Sequence, residues 1–595
     1  MRHLVLFALL GRALAAQSGD IERGVARGLG PVEQSTSTFV AKRACVSCHH
    51  NILSILLFRL ARQRGVAVEP ALLEAVEAKT FRSLQGPGAF DNAVQAVTIN
   101  DPTPDDSYLL IAAHAGGLAP NLTTAVYAHR LVQWQRDGHW VTSDFRPPHS
   151  SSVFTATATA VRAISLYMPK ELRAERDASI LRAREWLART KPQSTEDAAF
   201  RLLGLIWAAA AQTEIDAARR DLLAMRKPAN GGWPELPGYP SDAYSTGQSL
   251  YALHEAGLPT ASSTYRAGLH FLLSTQAADG TWHVKTRMLS PADVSPMYFP
   301  TGFPYEKDEF LSYAGSCWAL IALIEAMPPV TNAPPPVSRR DEQPAAWVRT
   351  ALFGTSEELK ILLDRGLDPN SRTSRGTTVL MMAATDADKV NLLLSRGADP
   401  KVRASSNVDA LALAAASRNT SAAIQALLDA GAEANPPDGV RLKNPPLLLA
   451  AMTGDIENVK TLLAHGARSS DALAQAVTFG YPDVVRTLID AGASATMTES
   501  SGINLLHWAA IANRAAVIPA LVAAGVPINA KDENGYTPLM YAATIDFGKT
   551  SSLDALLKAG ADPNIRNADG RTALEQAHWL RHANLESALK SFQRR

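Results

Sequence analysis

The chain has 595 residues, with 58 Lys and Arg against 57 Asp and Glu, a net charge of +1 and only 3 cysteines. Its length provides for two to four domains, and the near balance of charge gives no electrostatic case for nucleic acid or an acidic membrane surface as partner. Alanine and leucine abound while β-branched runs are few, which predicts an all-helical protein.

The first residues have the layout of a secretory leader. Met1-Arg2-His3 is a short basic start, Leu4 to Leu10 a brief apolar run, and Ala13-Leu14-Ala15 a small-x-small pattern, so residues 1–16 are expected to be a signal peptide cut near Ala15 or Ala16. Export to a bacterial periplasm follows as an expectation. No transmembrane segment is predicted, because no apolar stretch reaches about 18 residues.

Cys45-Val46-Ser47-Cys48-His49 is the strongest chemical signal. C-x-x-C-H is the attachment pattern of a c-type haem: two thiols three residues apart each add across a vinyl group, and the following histidine is placed to ligate iron. Cys45 and Cys48 are the expected covalent anchors and His49 the axial ligand. A small redox disulfide or half of a zinc site are the alternatives for the pair. His50 cannot serve the opposite face of the same iron, since adjacent helical residues diverge by about 100°. Candidates there are His114, His129, His149, Met288 and Met297, or the iron is five-coordinate. The third thiol, Cys317, sits in an apolar run and reads as buried packing.

Residues 40–328 read as a helical repeat. Turns carrying G-x-W occur at Asp137-Gly138-His139-Trp140, Asn230-Gly231-Gly232-Trp233 and Asp279-Gly280-Thr281-Trp282. The last two tryptophans are about 49 residues apart and the first two about 93, nearly twice that period. Arg184 to Leu187, followed by Ala198 to Ala211, supplies a unit without the turn. A second register places a short polar residue two positions before an aromatic, at Asp106/Tyr108, Ser152/Phe154, Asp242/Tyr244 and Asp308/Phe310, with Asp197/Phe200 as a looser copy. These read as helix N-caps. Five or six such hairpins would close into an α/α-toroid. If all inner helices start at one rim, Asp106, Asp197, Asp242 and Asp308 ring one mouth, as ligand or acid groups or simply as caps.

Gln276 to Trp282 matches Q-x-x-x-G-x-W, and Gln133 to Trp140 is similar; on these residues the region resembles the prenyltransferase and squalene-cyclase repeat families. The resemblance implies a toroid in which the glutamine packs on the tryptophan and staples the turn to the next helix. It also implies terpenoid or isoprenoid chemistry as an alternative function. The D-x-D-D acid motif of the cyclases is missing from the sequence, and the zinc ligands of the protein prenyltransferases are not assembled. Asp106, Asp242 and Asp308 remain as weak catalytic candidates.

Met327-Pro328-Pro329 to Pro336 opens a linker over residues 329–344. Beyond it, residues 345–595 repeat L-L-x-x-G-A-x-x-N, with glycines at 366, 397, 431, 466, 492, 525 and 560, mostly about 31–35 apart. Asn534 to Ala543 resembles the ankyrin consensus G-x-T-P-L-H-x-A-A with Met540 in place of His, and Gly502 to Ala510 keeps the His as His507. Seven or eight ankyrin repeats are expected, one shortened between Gly466 and Gly492, and residues 435–445 forming a looser loop. Such a solenoid implies a partner protein on its concave face, with Trp508, Tyr536, Tyr541 and Trp579 as anchors or as core.

The expected whole is all-α: an α/α-toroid followed by an ankyrin-repeat solenoid, holding covalent haem c in a redox or sensing role. A toroid-family enzyme and a non-catalytic scaffold are the alternatives.

Overall fold

A computed structural model describes residues 2–594 apart from 45, 98–101, 150, 289–300, 331–344, 436–443 and 469, with the side chains of 2–18, 48, 49 and 102 also left out. Helices and their turns make up the fold; among the described residues the only β pairing consists of isolated bridges.

The N-terminal half is a double ring. A π-helical turn, Cys48–Leu53, leads into α2 (Ser54–Gln63) after the outer helix α1 (Arg2–Lys42). Next come α3 (Pro70–Thr80), the short α4 (Ala89–Val94), α5 (Pro102–Ala115), α6 (Leu122–Trp134), α7 (Val153–Tyr167) and α8 (Arg173–Arg189). The ring continues with α9 (Thr195–Trp207), α10 (Gln212–Ala224), α11 (Ala243–Glu255), α12 (Ser263–Thr275) and α13 (Glu309–Glu325). Helices α5, α7, α9, α11, α13 and α2 pack in sequence, and α2 returns to α5 to close the inner ring. Inner helices are buried nearly all round, so they are small and apolar; α7 carries Thr155 to Ala160 without an exposed side chain.

The three tryptophans pin the outer layer to the inner one. The indole N–H groups of Trp140, Trp233 and Trp282 donate to the carbonyls of Leu131, Leu222 and Leu272 on the preceding outer helices, at 2.6, 2.8 and 2.8 Å. Their backbone amides donate to Thr157, Thr246 and Ser316 on the following inner helices, at 3.2, 2.9 and 3.2 Å. Buried donors need such partners, each bond being worth about 0.5–1.5 kcal/mol. Gly138 and Gly280 hold φ of +83° and +87°, and a side chain at either would strike a carbonyl of the next outer helix, that of Arg182 in α8 or Arg27 in α1.

That equivalence makes α1 the sixth outer helix. It packs between α12 and α3, burying Ile21, Val25, Leu29 and Val32 along one face. The helical body therefore includes residues before 40, which the sequence boundary leaves out. The glutamine staple also needs relocation. Gln276 donates to Gly24 and Gly280 carbonyls, both at 2.9 Å. Its counterpart is Gln135, which donates to the Ser179 carbonyl at 2.9 Å; Gln133 instead accepts from Ser417 of the C-terminal array at 3.2 Å.

Eight helix pairs follow among the described residues, from Ala346–Phe353 with Ser356–Asp364 to Ala573–Leu580 with Ala583–Gln593. Thr378, Asp409, Asn504, Thr537 and Thr572 each cap a first helix by accepting the amide three residues on. The repeat asparagine links neighbours: Asn370 donates to Gly397 O at 3.0 Å and accepts from Asp399 N at 2.9 Å, and Asn435 treats Gly466 and Arg468 likewise at 2.9 and 2.7 Å. Residues 465–471 alone join the fourth pair to the fifth, where 396–409 join the second to the third.

The array lies against the G-x-W rim of the ring. Trp134 donates to Ala416 O at 3.0 Å, Gln95 to Thr377 at 2.7 Å, and Arg514 reaches the Thr142 carbonyl. Tyr239 donates to Asp546 at 2.6 Å. Residue 330 still touches the ring through Gln63; the linker from 331 lies outside the described residues.

Candidate functional site

The C-x-x-C-H segment starts the inner ring at this same rim, in the sector between α1 and α13. Lys79 holds the end of α1 through the carbonyls of Val40, at 3.1 Å, and Arg43. Ser47 then caps the π-helical turn, accepting from His50 N at 3.0 Å, while its own amide donates to Asn51 at 2.9 Å. Asn51 continues to Thr80 at 3.3 Å. Cys45 lies outside the described residues, as do the side chains of Cys48 and His49.

His50 is fully buried. Its ring stacks between Phe39 and Tyr313, at centroid distances of 4.6 and 3.9 Å, with Ser35 Oγ 3.1 Å from Nε2. Burial pushes this imidazole down to about 3, so it is neutral. Ser35 pairs with Thr301 at 2.7 Å, and Thr301 donates to Glu309, whose carboxyl burial pushes up. Tyr313 meets Ser54 at 2.6 Å and Thr36 at 2.7 Å. A locked polar layer thus backs the motif, and His50 anchors it.

The surroundings fit a haem on the outside of that layer. Val46 is 43% exposed and Ala44 is also exposed, so the described neighbours of Cys45 face solvent, one of them with an uncovered apolar side chain. Of the candidates for the opposite iron face, His129 lies 3.4 Å from Glu175 and against Phe353, and Met288 is buried beside Ile545. His114 stands at the far end of the ring. Met297 lies outside the described residues. None of the first three stands in the described layer around His50. Cys317 is buried in α13 beside Tyr313, with its thiol pushed up by burial; among the described residues no cluster of three or more His, Cys, Asp or Glu is arranged to hold a metal.

The acid candidates have different employments. Asp242 does cap α11, accepting from Ser245 N at 2.8 Å, and Ser152 caps α7. Asp106 lies inside α5 rather than at its cap and binds Arg130 twice, at 2.7 and 3.0 Å. Ser194, not Asp197, caps α9; Asp197 accepts from Ser152 at 2.6 Å. Asp308 accepts from Thr286 N at 2.9 Å and lies 2.8 Å from His283. Three of the five expected caps are therefore something else, because ion pairs and turn amides compete for short acids.

The sequence reading missed Glu196. It is buried in the mouth, accepting from Thr155 at 2.7 Å and Tyr244 at 3.0 Å, and burial pushes its carboxyl up to about 8. His149 lies 3.2 Å from the same Tyr244 hydroxyl and is pushed down to about 4 by burial. Both are neutral at pH 7. A cavity of about 530 Å³ lies above them, walled by Ser152 and Asp197 on the ring and by Tyr481, Arg514 and Lys549 on the array.

Of the four aromatic anchors, Tyr541 and Tyr536 are core, with Tyr541 donating to Asp532 at 2.7 Å. Trp508 is half-buried and donates to Glu499 at 2.7 Å. Trp579 is exposed, with Arg571 4.3 Å from its ring centroid.

The family described as "Ankyrin repeats (3 copies)" matches four overlapping stretches, 388–474, 411–499, 473–567 and 506–589. The chain is 38% identical over 96 residues to an ankyrin repeat-containing protein of Treponema pallidum, covering 16% of this chain and 32% of that one. It is 32% identical over 154 residues to protein PhlB of Serratia liquefaciens, 25% of this chain and 66% of that one. It is 31% identical over 159 residues to human SH3 and multiple ankyrin repeat domains protein 2, 25% of this chain and 8% of that one. The chain thus spans less than two thirds of each. The C-terminal module is an ankyrin-repeat array, a protein-interaction module. Among the described residues no helix is long and apolar enough to cross a membrane.

Proposed function

We propose that the chain is an exported c-type haem protein in a bacterial periplasm, with Cys45 and Cys48 as thioether anchors and His49 as axial ligand. The observation that carries this reading is a C-x-x-C-H pentad whose last two residues open the first inner turn of a closed helical ring, capped by Ser47 and backed by the buried His50. Haem, when bound, supplies one-electron redox or small-ligand chemistry. The ring's own contribution is a rigid rim. His50, neutral and stacked, holds the backbone beside His49 without competing for iron, and the array presents its free face to a partner protein in a redox or sensing role.

Two observations disfavour a toroid-family enzyme using the acid candidates. Asp106 is tied to Arg130, and Asp308 to a backbone amide and His283. A non-catalytic scaffold remains the second reading, favoured by the ankyrin array. The experiment that separates them is haem staining on a denaturing gel after co-expression with the cytochrome c maturation machinery. Wild type should stain and Cys45→Ala/Cys48→Ala should not. A folded, unstained wild type leaves the scaffold.

A further inference from the structure

Helices α2, α5, α9, α11 and α13 end, away from the G-x-W turns, around a cavity of about 200 Å³. Tyr108, Phe200, Trp207, Tyr251 and Trp318 form much of its wall, so the few aromatics of this chain gather where the ring is hollow. Apolar cavities of roughly 150 Å³ accept a benzene ring. This one therefore admits a single ring with a short substituent, and it is too small for several isoprene units.

Every cation at the opening has its own acid. Arg59 is held by Glu77 through two contacts of 2.5 and 2.6 Å. Glu325 is taken by Arg64 at 2.6 Å, with His254 at 3.3 Å. Arg162 is matched by Glu255, whose carboxyl burial and Glu325 push up and Arg162 pulls back down. Trp207 ties these two together: its indole N–H donates to Glu255, and its ring centroid lies 5.6 Å from the Arg162 guanidinium. His114, held down by burial and then by Arg162, adds no charge. An anion at this mouth meets Glu255, Glu325 and the carbonyl ends of five helices, while a cation meets Arg59, Arg64 and Arg162. Either sign gives up hydration without finding a free counter-ion. An uncharged solute loses little and gains the aromatic wall.

We infer that this cavity binds a small uncharged aromatic molecule, one ring with a short substituent, lying against Trp207, Tyr251 and Trp318. The paired charges at the mouth act as a filter that turns away ionised molecules of the same size. The site is at the opposite end of the ring from the C-x-x-C-H motif, so it stands or falls independently of haem.

The full chain is titrated at about pH 8, where Glu255 is ionised, with toluene, benzyl alcohol, benzoate, benzylammonium and a fifteen-carbon isoprenoid alcohol. Calorimetry and tryptophan fluorescence follow the binding. Toluene and benzyl alcohol should bind saturably, about tenfold or more tighter than either ion, because only the ions lose hydration uncompensated. Ile111→Trp and Leu56→Trp each place a large side chain in the cavity, and each should abolish binding in protein shown to be folded by near-ultraviolet dichroism. Glu255→Gln leaves Arg162 unmatched, so benzoate affinity should rise severalfold while benzyl alcohol is unchanged. No saturable binding, an ion bound as tightly as benzyl alcohol, or preference for the long alcohol would overturn the assignment. So would undiminished binding in a folded filled variant, or a benzoate affinity unmoved by Glu255→Gln.

Discussion

Arg287 of the ring donates to the backbone carbonyl of Asp546 in the array at 2.5 Å, and the Asp546 amide returns a bond to the Arg287 carbonyl at 3.2 Å. The same guanidinium pairs with the buried Glu235. One side chain therefore compensates a carboxylate of the ring while fastening the ankyrin module to it. Removing it leaves Glu235 buried without its cation, a loss of about 3–5 kcal/mol for a buried pair. Arg287→Ala is expected to lower the urea midpoint and to split one unfolding transition into two, monitored by circular dichroism. A single transition at the wild-type midpoint would contradict a shared cluster.

Glu196 sets a pH dependence. An unfolded glutamate titrates near about 4.3, whereas this one is held up to about 8 by burial. Between those values the unfolded chain releases a proton that the folded chain keeps. Its stabilisation is therefore complete below pH of about 4.3 and is lost as pH rises through about 8. Glu196→Gln should flatten this slope and leave the protein more stable than wild type at pH 8, by an amount on the order of a few kcal/mol. Urea titrations at pH 5, 6.5 and 8 test it; parallel profiles for the two proteins would refute the burial argument.

His49 and His50 should separate cleanly. His50→Phe preserves the stack with Phe39 and Tyr313 and gives up the Ser35 contact, so it should keep haem attachment and the axial-ligand spectrum. The expected cost is about 1–3 kcal/mol, for a buried group left without its partner. His49→Ala should alter the iron spectrum while leaving stability within about 0.5 kcal/mol in the haem-free protein. Reversed spectral effects would mean that the buried ring, not its neighbour, ligates the iron.

Trimming distinguishes leader from outer helix. A chain beginning at residue 17 should unfold at the same temperature as the full chain. One beginning at residue 40 loses Ile21, Val25, Leu29, Val32 and Phe39, each buried. At about 1.5–3 kcal/mol per side chain, that loss is comparable with the whole stability of a typical domain, roughly 5–15 kcal/mol. The expected result is a ring that fails to fold, seen as lost near-ultraviolet dichroism.

What could be read from the sequence was whatever repeats. The G-x-W turns were legible because each tryptophan meets the same demand, an acceptor for a buried indole, and the capping threonines of the array recur for the same reason. The docking of array on ring was not legible, since Trp134 with Ala416 and Arg514 with Thr142 are single contacts without a period. Asp242 as a cap was readable, but Asp106 looked identical in sequence and only the fold brings Arg130 to it. Glu196 was hidden by its setting. Thr195-Glu196-Asp197 reads as a solvated first turn, and only ring closure buries it. Helix α1 carried its apolar spacing openly at Ile21, Val25, Leu29 and Val32, yet the expected domain boundary at residue 40 left it out.

Thioether attachment at Cys45 and Cys48 is the central requirement of the proposed haem function. Intact-mass spectrometry of the full chain, exported from a host carrying the haem-attachment machinery, measures it directly. The predicted result is a mass higher by one haem that survives denaturation and disappears in Cys45→Ala/Cys48→Ala. A denatured wild-type chain at its bare polypeptide mass, from a host that matures its own cytochromes, would contradict it.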